Sequence, residues 1–138
     1  MQRFRISTET AEQDVTLIHR FLSEESIWAR GISMDAVRTS LANSLNFGGF
    51  LGESQVAFAR VVSDHATFAY LADVFVLREH RGNGYSLALM SAVFSHPKLQ
   101  NLRRFLLATS TAHRLYSKFG FAAPANPQAF MEKYTRSS

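Results

Sequence analysis

The chain reads Val74-Phe75-Val76-Leu77-Arg78-Glu79-His80-Arg81-Gly82-Asn83-Gly84-Tyr85-Ser86 at its most informative segment. An apolar strand leads into a basic loop, and an apolar helical stretch begins after the second glycine. Backbone N–H groups at the start of a helix have no partner within the helix, and the helix dipole favours negative charge there. Gly82 and Gly84 permit positive φ angles and close approach of a ligand to the backbone. The segment therefore predicts a seat for a phosphate or pyrophosphate group, with Arg81 adding positive charge.

Two familiar phosphate-binding loops do not match this segment. A dinucleotide-binding loop requires a third glycine and an acidic residue about 20 positions later, and Leu87 and Arg104 stand at those places. A Walker loop requires Gly-Lys followed by Ser or Thr, and the sequence contains none. Taken alone, the Gly-x-Gly of residues 82–84 is also typical of a plain turn.

The patterns on both sides of this segment predict a mixed sheet. Residues 67–77, 84–96 and 104–109 indicate a strand, a helix and a strand, which make one βαβ unit with parallel strands. Before them, residues 47–51 and 56–63 indicate strands of an antiparallel meander. The other predicted elements are a strand at 3–7, helices at 10–25, 33–45 and 111–119, and a last strand at 130–134. The predicted class is α/β (α+β), in the order β-α-α-β-β-β-α-β-α-β, with a mostly antiparallel central sheet and helices on both faces.

Length and composition limit the architecture and the chemistry. The chain has 138 residues, 46% of them hydrophobic and 19% charged. These values predict one domain, residues 1–138, with a sizeable core, and argue against intrinsic disorder. The chain has no cysteine, which excludes disulfides, thiolate nucleophiles and cysteine-ligated metal sites. The five histidines form no i, i+4 pair, so we also expect no other metal site.

The charge pattern limits the partners. The formal net charge is +4 at pH 7, which favours an anionic partner or a phosphorylated cofactor. No run of five or six like charges occurs, so we expect no nucleic-acid partner. No stretch approaches 18 apolar residues, and the first 30 residues resemble no signal peptide. We therefore expect no membrane partner and a cytoplasmic location.

Two motifs flank the strand predicted at 104–109. The first is Arg81-x-x-Gly84-x-Ser86, between an apolar strand and a buried helix. The second is Ala112-His113-Arg114-Leu115-Tyr116-Ser117-Lys118-Phe119-Gly120-Phe121, a helix that carries a tyrosine and ends in a Gly-Phe step. Together they resemble motifs A and B of the GNAT superfamily of N-acetyltransferases, in that family's order. The resemblance covers roughly residues 46–134. It departs from the family pattern at Ser86, which replaces a glycine or alanine, and at Thr109, where many members carry asparagine.

The resemblance implies a donor and a reaction. The donor is acetyl-CoA, whose acetyl group moves to a primary amine of a small molecule or peptide by direct attack. Backbone groups of Val74, Phe75 and Val76 would pair with the pantetheine amides, because a splayed strand edge offers unpaired N–H and C=O groups. Thr109 would stand near the pantetheine arm. The residues implied for the pyrophosphate are Arg81, Gly82, Asn83, Gly84, Tyr85 and Ser86.

The resemblance also implies a general acid, and the reaction needs a base. Tyr116 would protonate the leaving CoA thiolate, since a tyrosine with a pKa near 10 is protonated at neutral pH; a core aromatic is the alternative. The attacking amine must lose a proton. Asp73 interrupts the apolar run 68–74, where a carboxylate is costly unless it is used or paired, so Asp73 is the candidate base or a structural partner of an arginine. Strand alternation predicts that Asp73 shares a face with Leu71 and Phe75. His113 is the second candidate base.

The acceptor side is the least specific part of the prediction. By resemblance, the acceptor cleft lies between the first two helices, their connection and the loops that face the thioester. The candidate walls are Phe21, Trp28, Arg30, Phe47 and Tyr70, and Arg30 could bind a carboxylate of the acceptor. The sequence does not identify the amine. A non-catalytic module that binds or senses acyl-CoA is the alternative function, and a homodimer is an open alternative because family members often pair through C-terminal strands.

Overall fold

A computed structural model describes residues 3–135 of the chain. Its strands and helices, in chain order, are β1 (Phe4–Ser7), α1 (Val15–Arg20), α2 (Met34–Ala42), β2 (Leu45–Leu51), β3 (Ser54–Ser63), β4 (Phe68–Val76), α3 (Tyr85–Ser95), β5 (Arg104–Leu107) and α4 (His113–Ser117). A π-helical turn, Phe21–Glu25, extends α1. The helix predicted over 10–25 is regular only from Val15, because Asp14 accepts from the Leu17 N–H and caps α1 there.

The five strands form one sheet in the order β1-β2-β3-β4-β5. Neighbours are antiparallel from β1 to β4, and β4 and β5 are parallel. The predicted meander and βαβ unit are therefore confirmed. So is the predicted mixed, mostly antiparallel sheet, with α1 and α2 packed on one face and α3 on the other.

A β-bulge interrupts the pairing of β3 with β4. Phe58 lies opposite Phe75 and Arg60 lies opposite Ala72, so Asp73 and Val74 together face a single residue of β3. Asp73 adopts a left-handed conformation with φ 55°, which an aspartate tolerates better than most residues. An extra residue reverses the alternation of faces beyond the bulge.

The reversal corrects the prediction made for the faces of β4. Leu71 packs in the core cluster on the α3 side, whereas Phe75 packs in the cluster beneath α1 and α2. The two residues therefore do not share a face. Asp73 contacts Arg60, which alternates with the α3-side residues of β3 and so lies on the α1–α2 side.

The strand predicted at 130–134 is wrong. Residues 122–135 are exposed throughout and contain a 3₁₀ turn at Pro127–Ala129 but no strand. Phe130 lies over the Arg104 guanidinium, 5.0 Å from ring centroid to Cζ, so the segment passes the start of β5 without pairing. Strand-like alternation is not sufficient when no partner strand lies alongside.

None of the helices within residues 3–135 is long and apolar enough to cross a bilayer.

Candidate active site

A gap opens in the sheet where β4 and β5 part. The two strands pair only from Phe68 to Leu71 on β4, opposite Arg104–Leu107 on β5. Beyond Leu71, β4 continues to Val76 with β3 alone as its neighbour among the described residues. The bulge at Asp73 stands at the start of this free edge. β4 therefore has an unpaired edge at residues 74–76, where the resemblance places the pantetheine arm.

The loop after β4 leads to an open helix N-terminus. Gly82 and Gly84 have φ angles of 83° and 80°, and no atom would lie within 4 Å of a Cβ added at either residue. No side chain caps the start of α3, so the first N–H groups of this helix are available to a ligand. A cavity of about 120 Å³ lies here, lined by Val76, His80, Arg81, Gly82, Gly84, Tyr85 and Ser86. Backbone donors, the open space beside the two glycines and positive charge make this cavity suited to a pyrophosphate.

Three side chains hold the loop and the helix start in place. Arg81 Nε donates to the Val76 carbonyl at 2.8 Å, and Asn83 Nδ2 donates to the His80 carbonyl at 3.0 Å. The Tyr85 ring stacks on Phe4 with centroids 4.1 Å apart and an interplanar angle of 8°. Phe4 belongs to β1, so the far edge of the sheet supports the first residue of α3. The sequence around position 85 gives no indication of the contact between Tyr85 and Phe4.

Tyr116 lies on α4, which follows the end of β5 at which the gap opens. The side chain is buried, with 7% of the residue exposed, and its ring meets Phe121 edge-on at 6.1 Å. The hydroxyl has no hydrogen-bond partner within residues 3–135, and the hydroxyl oxygen is not fully buried. Burial raises the pKa of Tyr116 above its ordinary value. The phenol therefore stays protonated at neutral pH and is free to donate.

Thr109 occupies the connection between β5 and α4. Its Oγ1 accepts from the Ala112 N–H at 3.0 Å, so its hydroxyl stabilises the entry to α4. His113 is the first residue of α4 and is exposed.

Asp73 is held by two partners. Its Oδ2 accepts from Arg60 Nε at 2.9 Å and its Oδ1 accepts from Trp28 Nε1 at 2.9 Å. Arg60 also donates from Nη1 to Ser44 Oγ at 3.0 Å. Sequence reasoning missed Arg60, although the argument applied to Asp73 also applies to it, because Arg60 interrupts the apolar run of β3.

The predicted acceptor walls separate into two groups. Trp28, Phe21 and Tyr70 lie on the α1–α2 side. The Trp28 side chain is 49% exposed and its ring lies 6.5 Å from Phe21. Tyr70 stands between two residues of β4 that pack on the α3 side, so it faces the opposite way. Arg30 is exposed in the connection to α2. The prediction for Phe47 is wrong, because this residue is fully buried in the cluster on the α3 side, edge-on to His96.

Metal-ligating side chains do not cluster in the described part of the chain: residues 3–135 contain no group of three or more His, Asp or Glu placed to hold a metal ion.

The mixed, mostly antiparallel sheet with helices on both faces is shared with solved proteins described as acetyltransferases. The chain belongs to the acetyltransferase (GNAT) family, whose family model matches residues 10–121.

Individual relatives agree with this membership. A GNAT-family protein of Xanthomonas campestris pv. campestris, provisionally named an acetyltransferase, has a crystal structure at 1.40 Å resolution. Its sequence is 56% identical to this chain, and the two structures superpose with a TM-score of 0.94 over 98% of this chain and 95% of that one. A protein of Gibberella zeae, also provisionally named an acetyltransferase, is 29% identical over 83% of this chain and 76% of its own length. A predicted acetyltransferase of Clostridium acetobutylicum, solved with acetyl-CoA, has the same fold at 18% identity and a TM-score of 0.68, over 97% of this chain and 96% of that one.

Proposed function

We propose that the protein transfers the acetyl group of acetyl-CoA to a primary amine of a small molecule or peptide, as one domain spanning residues 1–138. The observation that carries this proposal is the adjacency of a free β4 edge and an open, uncapped α3 N-terminus. The first suits an amide-containing arm and the second suits a pyrophosphate. Acetyl-CoA contains both groups, whereas ATP and inorganic phosphate lack the arm.

The proposed donor site uses the residues that the sequence singled out. Val74, Phe75 and Val76 would pair with the pantetheine amides, although the Val76 carbonyl already accepts from Arg81. Thr109, at the entry to α4, would stand beside the arm. The pyrophosphate would be held by backbone groups of the segment Arg81, Gly82, Asn83, Gly84, Tyr85 and Ser86.

The proposed chemistry uses two proton-carrying side chains. Bound acetyl-CoA supplies an activated acyl carbon, at which the C–N bond forms while the C–S bond breaks. The Tyr116 hydroxyl donates its proton to the departing thiolate sulfur. Asp73 accepts the proton that the attacking amine loses, because each of its oxygens holds one hydrogen bond and keeps a further acceptor site. Trp28, Arg30 and Tyr70 would contact the acceptor, and a cytoplasmic location remains our expectation.

A thermal-shift titration tests the donor site. A ligand at 100 times its dissociation constant stabilises the folded state by about 2.7 kcal/mol, which for a chain of this size raises Tm by roughly 8–15 °C. We expect acetyl-CoA and CoA to produce this shift, and NAD and ATP to produce a much smaller one. Equal shifts with all four ligands would contradict a CoA site, and no shift with either CoA form would overturn the proposed function.

Turnover separates the enzyme from its alternative. With binding established, a panel of amines is screened for release of free CoA thiol. An amine-dependent release supports a transferase. Binding of acetyl-CoA without release for any class of amine favours the non-catalytic module that binds or senses acyl-CoA.

We further propose that two copies of the chain associate through the outer edge of β5. Within residues 3–135 this edge has no partner strand. Beside it lies a cavity of about 520 Å³ with an aromatic lining that includes Phe94, Phe105 and Phe119. The exposed C-terminal segment 122–135 carries Phe130 and Met131, the latter 97% exposed. An unpaired strand edge and an unpacked apolar segment in one molecule are complementary surfaces for a second copy.

Replacing Met131 tests this association. We expect Met131→Asp to convert a dimer to a monomer in sedimentation velocity, because a charge would be buried in the interface. The matched control is Ile27→Asp, which changes another exposed apolar residue, 78% exposed, far along the chain from β5. A wild-type monomer, or equal dissociation in both variants, would contradict the proposed interface.

A further inference from the structure

A chain of hydrogen bonds crosses the α1–α2 side of the sheet and has Asp73 at its centre. Trp28 occupies one carboxylate oxygen and Arg60 the other, each at 2.9 Å. Arg60 continues the chain to Ser44, which directly precedes β2. The side chains of Arg60 and Asp73 are largely shielded, at 18% and 11% exposed. A hydrogen-bonded ion pair with this burial is worth more than an exposed surface pair.

Trp28 is also connected to β4 through aromatic contacts. Its ring lies 6.5 Å from Phe21, and Phe21 stacks on Phe75 with centroids 4.0 Å apart and an interplanar angle of 13°. Asp73 and Phe75 stand on either side of Val74. The indole is therefore joined to β4 by a polar bond before Val74 and by an aromatic pair after it.

The connection between α1 and α2, residues 26–33, is hydrogen-bonded to the sheet through Trp28, while Ala29 and Ile32 pack against the apolar cluster on the α1–α2 side. The other hydrogen bonds of this connection lie within it or reach neighbouring helical segments. Ile32 N–H donates to the Ala29 carbonyl, Gly31 N–H donates to the Ser23 carbonyl, and His19 Nε2 bonds to the Ile32 carbonyl. Among the residues described, Trp28 makes the only side-chain hydrogen bond from this connection to a strand. Its neighbour Ile27 points into solvent, at 78% exposed.

We propose that Trp28 and Arg60 are positioning residues that hold residues 26–33 against the bulge of β4. Arg60 fixes the Asp73 carboxylate, and the carboxylate fixes the indole. Residues 26–33, which border the acceptor side, are thereby held in a fixed position relative to the free edge of β4, which borders the donor side. The names of these two sides rest on the function proposed above, whereas the contact itself does not.

Fluorescence tests the contact without any substrate, because Trp28 is the single tryptophan of the chain. The variant Asp73→Gly removes both oxygens while glycine keeps the φ of 55° at the bulge. Loss of a hydrogen bond to a charged group should increase the fraction of molecules in which residues 26–33 are detached from β4 about tenfold or more. We expect Trp28 emission that is red-shifted, and acrylamide quenching that is stronger, than in the wild type. Emission and quenching identical to the wild type would overturn the proposal.

The role of Arg60 needs its own pair of variants. In Arg60→Gln the carboxylate loses its charged partner, so we expect a change of Trp28 emission in the same direction as in Asp73→Gly. In Arg60→Lys the charge is kept and the change should be smaller. Arg38→Gln on the exposed face of α2 is the matched control and should leave emission unaltered. An effect of Arg38→Gln equal to that of Arg60→Gln would contradict a specific role for Arg60.

Kinetics test what the contact is for. Trp28→Phe keeps an aromatic ring beside Phe21 and leaves Asp73 in place, but it removes the Nε1 donor. With the amine that gives the fastest turnover in the screen above, we expect the acceptor KM to rise about tenfold, with the calorimetric Kd for acetyl-CoA unchanged. Equal losses for donor and acceptor would indicate a purely structural role and overturn the proposal. A wild type that does not bind acetyl-CoA would refute the proposed function, while the fluorescence result would still decide the contact.

Discussion

Tyr116→Phe is expected to lower kcat by about 10²–10⁴-fold, the usual contribution of a positioned general acid, while acetyl-CoA still binds. The substitution removes one oxygen and leaves the ring. Because the ring packs against Phe121 in the core cluster and the hydroxyl has no protein partner within residues 3–135, the fold should lose little. Calorimetry with acetyl-CoA and steady-state kinetics with the screened amine measure the two halves of this prediction.

The pH dependence of the wild-type kcat gives a second test of the role of Tyr116. Burial raises the pKa of Tyr116 above its ordinary value of 10.0, so the acid remains protonated over the whole neutral range. Deprotonation of Tyr116 would therefore lower wild-type kcat only at pH values above 10. A fall in wild-type activity below pH 9 must come from another group.

Tyr134→Phe is the matched control for the loss of a hydroxyl. Tyr134 is 74% exposed in the C-terminal segment and should keep full activity. A Tyr116→Phe enzyme with wild-type kcat would show that Tyr116 is a core aromatic and that water protonates the thiolate. Loss of acetyl-CoA binding together with activity would instead show that the hydroxyl supports the donor site.

The sequence was informative wherever the signal is local. The alternation of β3 and the first part of β4 predicted the meander, and the glycines at 82 and 84 predicted a loop with positive φ, which the structure has at both residues. The helix that follows was predicted within one residue at each end. Each of these features depends on residues that are neighbours along the chain.

The features that the sequence did not predict depend on contacts between distant segments. The bulge at Asp73 is a property of the pairing, in which two residues of β4 lie opposite one residue of β3, and neither strand shows it alone. An arginine partner for Asp73 was one of the two expectations and is confirmed, but the sequence identified neither Arg60 nor Trp28, which lie 13 and 45 positions away. Phe47 and the segment 130–134 were misplaced because periodicity identifies an apolar or alternating residue, but it specifies neither the face of the sheet nor the presence of a partner strand.

A negative charge at the start of α3 should have the second large effect. Ser86 lines the cavity at the N-terminus of this helix, where free N–H groups and the helix dipole favour an anion. In Ser86→Asp the new carboxylate would occupy that field and repel the pyrophosphate. Like charges a few ångströms apart in a partly screened site cost on the order of 1–3 kcal/mol, so we expect the Kd for CoA to rise about ten- to a hundredfold.

The same change elsewhere on α3 separates this local repulsion from the loss of net charge. Ser91→Asp lies on the exposed face of the helix, beyond its first turn, and should alter the Kd for CoA less than about twofold, since the dipole effect is confined to the terminal turn. Calorimetry at two salt concentrations strengthens the comparison, because added salt screens the repulsion and should narrow the difference between the two variants. Equal affinity for CoA in Ser86→Asp and Ser91→Asp would place the pyrophosphate away from this helix. The proposed donor site would then consist of the free edge of β4, and the ligand in the sheet gap would have to bind without an anion-binding site at the start of α3.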